Sequence, residues 1–142
     1  MKGTFQTKSG QIKDKFLLLS SMDARYSALI ELGKTLAAYP QELKTPAHIV
    51  QGCQSTLYLS ATMKEGKLFF QASSDALISA GLAALLLYVY NGETPETILS
   101  EPPNFLSEIG IANYLSPNRS NGLAHIHLRM KQLAINFLML RQ

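Results

Sequence analysis

A chain of 142 residues, 46% hydrophobic and 16% charged, fits one domain able to bury roughly two thirds of its unfolded surface, and lies far from the composition of disordered chains. Its formal net charge of +3 comes from thirteen Lys and Arg scattered from Lys2 to Arg141 without a dense run. That spread argues against a nucleic-acid footprint, and Lys2, Lys8, Lys13 and Lys15 read as a solvated basic end.

One cysteine, Cys53, excludes an intrachain disulfide and any Cys-rich zinc or iron–sulfur site built from this chain alone. The apolar run at 16–19 is too short for the core of a secretion signal, which needs roughly 7 to 15 apolar residues. The most apolar stretch, 76–90, is interrupted by Ser79 and falls short of the roughly 20 residues that span a bilayer. The expectation is a cytoplasmic protein with no membrane contact. Residues 1–142 read as a single domain, with disorder allowed for residues 1–10.

In chain order, Ile12, Phe16 and Leu19, then Tyr26, Leu29, Ile30, Gly33 and Leu36, fall at helical spacing and predict two successive helices or a helical hairpin over 11–36. Asp23 is the candidate cap of the second. Pro40 and Pro46 then punctuate a loop. Beyond Cys53, Leu57, Leu59, Ala61 and Met63 alternate with Thr56, Tyr58, Ser60 and Thr62, the period of a half-buried strand. A turn at 64–67 leads to Leu68, Phe70 and Ala72 on the inward face of a second strand, so 57–74 predicts a β-hairpin.

Ser73 or Ser74 with Asp75 offers a cap and a favourable charge for a helix running to Tyr90, apolar almost all round and therefore central. Asn91-Gly92 stops it, Thr94-Pro95-Glu96 starts a short helix, and Pro102-Pro103 breaks the chain again. Ser116-Pro117 opens a last helix with Leu123, Ile126, Met130, Leu133, Phe137 and Leu140 near one face. Helices, a small antiparallel sheet, then helices make an α+β fold.

Physics alone leaves two readings of Cys53 open. Framed by Gly52 and Gln54 in a loop before a strand, it suits a reactive thiol that glycine lets the chain present or withdraw; it equally suits a buried structural cysteine. His48, five residues upstream, is either a loop histidine or a general base for the thiol, with no third residue to orient it. His125 and His127 point to nearly opposite sides of a helix and make a poor metal pair, so both are expected to be structural or solvent-facing. Asp75 reads as a helix-start charge. Arg119 falls in the first turn of the last helix, where the helix dipole mildly disfavours a cation and invites a partner.

Four motifs in order resemble the SufE family of sulfur acceptors for cysteine desulfurases, over roughly residues 12–135. They are Arg25-Tyr26 with Leu29-Ile30-Glu31-Leu32-Gly33; Val50-Gln51-Gly52-Cys53-Gln54-Ser55; Ser74-Asp75-Ala76 with Gly81-Leu82; and Leu115-Ser116-Pro117-Asn118-Arg119-Ser120-Asn121-Gly122-Leu123. The resemblance implies the fold shared by SufE and the scaffold IscU, a small sheet packed against helices. It implies that Cys53 accepts sulfur as a persulfide, that Gly52, Gln54 and Ser55 shape its loop, and that Asp75 and Arg119 lie near the acceptor or the partner interface.

The implied partner is a SufS-like or CsdA-like desulfurase, which holds the pyridoxal phosphate, so no cofactor is expected here; a downstream acceptor or iron–sulfur scaffold would receive the sulfur. Tyr58 stands where family members often carry tryptophan, and the three cysteines of IscU are absent, which favours a carrier over a scaffold. The other readings are a Cys53/His48 thiol hydrolase and an interaction module with an inert Cys53.

Overall fold

In a computed structural model the description covers residues 4–53, 55–111, 115 and 117–140, with backbone alone at 117–121. Helix α1 (Phe5–Leu17) starts where the Thr4 hydroxyl accepts a hydrogen bond from the Thr7 amide. It buries Phe5, Lys8, Ile12 and Phe16 along one stripe. This corrects two expectations. Residues 5–10 are helical and packed rather than disordered, and Lys8 is not part of a solvated basic end. Its ammonium lies 2.8 Å from a Glu93 carboxylate oxygen and donates to the Asn91 carbonyl at 2.8 Å, so the buried charge has both a counter-ion and a hydrogen-bond acceptor.

Helix α2 (Met22–Gly33) is capped by Ser21, whose hydroxyl accepts from the Ala24 amide at 3.1 Å; Asp23 sits in the first turn and is not the cap. Both residues suit a helix start, but only Ser21 has the extended backbone that aims its oxygen at the free amides. Arg25 donates through Nε to the Leu19 carbonyl and through Nη1 to the Ile109 carbonyl, each at 3.0 Å, tying the α1–α2 corner to the later chain.

Strands β1 (Leu57–Lys64) and β2 (Lys67–Ser74) pair antiparallel, Leu57 opposite Ser74 and Lys64 opposite Lys67. The two residues between them, Glu65 and Gly66, both have positive φ, as the twist of a two-residue hairpin turn requires. Leu57, Leu59, Leu68, Phe70 and Ala72 are buried on the expected inward face. The outer edge of β2 is closed by the chain that follows the next helix: Leu68 exchanges backbone hydrogen bonds with Gly92 and Glu93, and the Asn91 side-chain oxygen accepts from the Phe70 amide at 2.7 Å.

Helix α3 (Leu77–Tyr90) is the centre of the domain, as its all-round apolar sequence predicts, and packs against α1, α2, β2 and the last helix. Its first cap is Ala76, without a side-chain cap bond; Ser74 instead accepts from the Ala76 amide and donates to the Thr56 carbonyl. Helix α4 (Pro95–Ser100) starts at Thr94 with Pro at the first position. A four-residue helix α5 (Phe105–Glu108), which no sequence signal announced, buries Phe105 and Leu106.

The last helix, α6 (Pro117–Leu140), buries Leu123, Ile126, Met130 and Ala134. Its expected stripe leaves the core toward the end, where Leu140 is 78% exposed. Where α6 crosses α3, His127 stacks on Tyr90 with ring centroids 5.5 Å apart, and the Tyr90 hydroxyl donates to the Glu101 carbonyl at 2.6 Å. His127 is thus structural, as expected. Burial, with Lys131 nearby, lowers its pKa to about 4. The architecture is α+β, a two-stranded sheet among six helices of the described residues.

Candidate functional site: the Cys53 loop

The cysteine loop is closed at its base, where the Val50 amide donates to the Leu57 carbonyl at 2.9 Å and Ile49 bridges to Tyr58. Val50 and Leu57 are buried, so the two ends of the loop are fixed to the core. Tyr58, where the resemblance leads one to expect tryptophan, lays its ring against Tyr39 at 5.9 Å between centroids. On one side Ser55 and Ser79 of α3 share a hydrogen bond of 2.7 Å between their hydroxyls. On the other, the Cys53 thiol donates weakly to the Gly122 carbonyl of α6 at 3.8 Å.

Gly52 has φ +91°, a conformation that L side chains rarely adopt. It also lies under the imidazole of His125: a Cβ at 52 would fall on Cδ2, Nε2 and Cγ of that ring, the last two at 2.5 and 2.6 Å. Glycine is therefore required twice, by the backbone and by the ring above it. Cys53 itself is half-buried against the core cluster, and burial pushes its thiol pKa up, because the apolar surroundings disfavour the thiolate.

The histidine that reaches this loop is His125, not His48. His48 shares its Nδ1 hydrogen bond with Thr45 at 3.0 Å and lines a cavity of about 290 Å³ with Ser60, Leu133 and Phe137, none of them in the cysteine loop. His125 was expected to be structural or solvent-facing; the helix places it one turn beyond Gly122, on the same side. The sequence signal that could have found it is the run Gly122 to His125, three residues apart on a helix whose start was already legible. Asp75 is exposed at the β2–α3 junction. Gln54 and the Arg119 side chain lie outside the described residues. No three His, Cys, Asp or Glu side chains gather into a metal-binding group among the described residues. No described helix is long and apolar enough to cross a membrane.

Residues 10–134 match the SufE family, described as an Fe-S metabolism associated domain. The chain belongs to the SufE family. It is 36% identical over 134 residues to an uncharacterized SufE-like protein of Synechocystis, covering 94% of this chain and 84% of that one. A SufE-like protein of Rhizobium etli is 35% identical over 135 residues, covering 92% of this chain and 91% of the relative. The solution structure of a hypothetical protein from Thermus thermophilus superposes with a TM-score of 0.78 at 25% identity, covering 93% of this chain and 96% of that one. As a SufE protein, the chain carries a domain associated with iron–sulfur metabolism.

Proposed function

We propose that this SufE protein carries sulfur as a persulfide on Cys53, taking it from a pyridoxal-phosphate-dependent cysteine desulfurase of the SufS or CsdA type for iron–sulfur assembly in the cytoplasm. The observation that carries the reading is the setting of Cys53: a half-buried thiol on a glycine-hinged loop, attached to α6 by a weak thiol hydrogen bond, in a chain of this family.

Sulfur transfer to such a thiol is an exchange. The Cys53 thiolate attacks the terminal sulfur of the partner's persulfide, a new S–S bond forms on Cys53, and the partner's S–S bond breaks with its cysteine leaving as thiolate. The product is a Cys53 persulfide and a reduced partner thiol, with no net oxidation. The resting position raises the thiol pKa and so restrains the nucleophile. Moving Cys53 out of the apolar pocket toward a docked partner would release the thiolate, and returning it would shelter the persulfide from solvent reductants. The pyridoxal phosphate belongs to the partner. Asp75, exposed beside the sheet, is available for the partner surface.

A Cys53/His48 hydrolase would need His48 within hydrogen-bond reach of the thiol, and the contact described for the thiol is with the Gly122 carbonyl instead. The two readings separate in a desulfurase assay following alanine formed from free cysteine. The carrier reading expects wild-type protein to stimulate turnover, Cys53→Ser to abolish the stimulation, and His48→Ala to stay within about twofold of wild type, since persulfide exchange needs a thiolate and no dedicated base. Stimulation that survives Cys53→Ser would contradict it.

A further inference from the structure

Two consecutive loop residues dock on adjacent turns of one helix. Cys53 meets Gly122 of α6, and Gly52 meets His125, three residues on. The first contact is a thiol donor at 3.8 Å to a carbonyl, a weak bond. The second is a close steric fit, in which the His125 ring occupies the volume where any side chain at 52 would stand. Of the two, the ring on Gly52 is the contact with shape, and it is made by a side chain able to swing.

The geometry points to His125 as the positioning residue that latches the acceptor loop, its imidazole seated on Gly52 so that Cys53 stays withdrawn against α6. The inference rests on the carrier reading for its purpose, and its geometry does not depend on it. With the ring in place, loop residues 52 and 53 are held at two points, and the thiol remains half-buried. With the ring displaced, the Gly52 hinge loses its cover. Among the described residues, the loop is then kept by its base at Val50–Leu57, the Ser55–Ser79 bond and the weak thiol bond. Local opening should become easier without loss of the global fold, because the core cluster under the loop base is untouched.

The test is the rate at which iodoacetamide alkylates Cys53 in the free, full-length protein, which needs no desulfurase. His125→Ala is expected to raise that rate by about fivefold or more, as local opening becomes more frequent. His125→Phe, which restores a flat ring over Gly52, is expected to return it to within about twofold of wild type, although it has no titratable nitrogen. Gly52→Ala, whose Cβ collides with the ring, should raise it as His125→Ala does.

Gly81→Ala serves as the control for general loosening, because the nearest atoms its Cβ would meet belong to Leu29 of α2 and not to the loop. Measured below its melting transition, it should alkylate at the wild-type rate. The latch is overturned if His125→Ala reacts like wild type, if His125→Phe fails to restore slow alkylation, or if Gly81→Ala reacts as fast as His125→Ala. Failure of sulfur transfer with these alkylation results intact would instead count against the carrier reading alone.

Discussion

Two glycine contacts in this molecule look alike and do opposite things. Between α2 and α3, a Cβ on Gly33 would meet the Gly81 amide nitrogen at 2.7 Å, and one on Gly81 would collide with the Leu29 carbonyl oxygen and come 2.8 Å from Leu29 Cγ. In the cysteine loop, a Cβ on Gly52 would collide with His125. In both places glycine is needed because a neighbour fills the Cβ volume. At α2–α3 the neighbour is backbone, fixed by its own helix, so the contact is permanent and sets the spacing of the scaffold. At Gly52 the neighbour is a side-chain ring that can rotate away. The same small residue therefore builds a rigid interface in one region and a releasable seat in the other.

The difference can be broken first at the scaffold. Gly81→Ala should cost about 1 to 3 kcal/mol, the range of overpacking, toward its upper end because the obstructing carbonyl cannot move, and lower the melting temperature by several degrees. A cost below about 0.5 kcal/mol would show that α2 and α3 can slide apart and that their contact is no more rigid than the loop's. Gly52→Ala should cost less, about 1 kcal/mol, mostly from holding alanine at positive φ once the ring has swung aside. Chemical denaturation of the two variants side by side gives both numbers; a larger loss at 52 than at 81 would reverse the assignment of rigid and movable regions.

The smallest effect is electrostatic and also lies in the scaffold. His127, stacked on Tyr90, has a folded pKa lowered to about 4, below the unfolded value of 6.5. Between those values the unfolded chain binds the proton more readily than the folded one, so stability is full above pH 6.5 and is lost as pH falls toward 4. Partial exposure screens the effect to about 1 kcal/mol. His127→Gln should flatten that part of the stability–pH curve; identical slopes for variant and wild type would show that the stacked histidine is not the group responsible. Cys53 alkylation measured on His127→Gln should match wild type, since the Tyr90 stack shares no contact with the loop.

Local chemistry was legible wherever a pattern is local. The hairpin was readable down to its turn because alternation and the Glu65-Gly66 pair lie within one short stretch, and α3 was readable because it is apolar on every side. The starts of α4 and α6 were marked by their prolines. What escaped depends on residues far apart in the chain. Lys8 looked solvated because nothing near it shows that Glu93 and Asn91 fold over it. Ser21 and Asp23 are both good caps by type, and only the backbone angle at Ser21 decides between them. The cysteine was legible as the centre of the site, yet the histidine beside it was sought five residues upstream at His48. The fold brings in His125 from the last helix, by a contact that depends on how α6 lies across the loop.

Mass spectrometry after incubation with a SufS-type desulfurase, pyridoxal phosphate and free cysteine measures sulfur acceptance most directly. The expected result is the mass of one added sulfur atom, or a short chain of them, on the peptide containing Cys53, removed by reductant and absent from Cys53→Ser. A desulfurase that turns over beside an unmodified Cys53 would contradict a sulfur carrier.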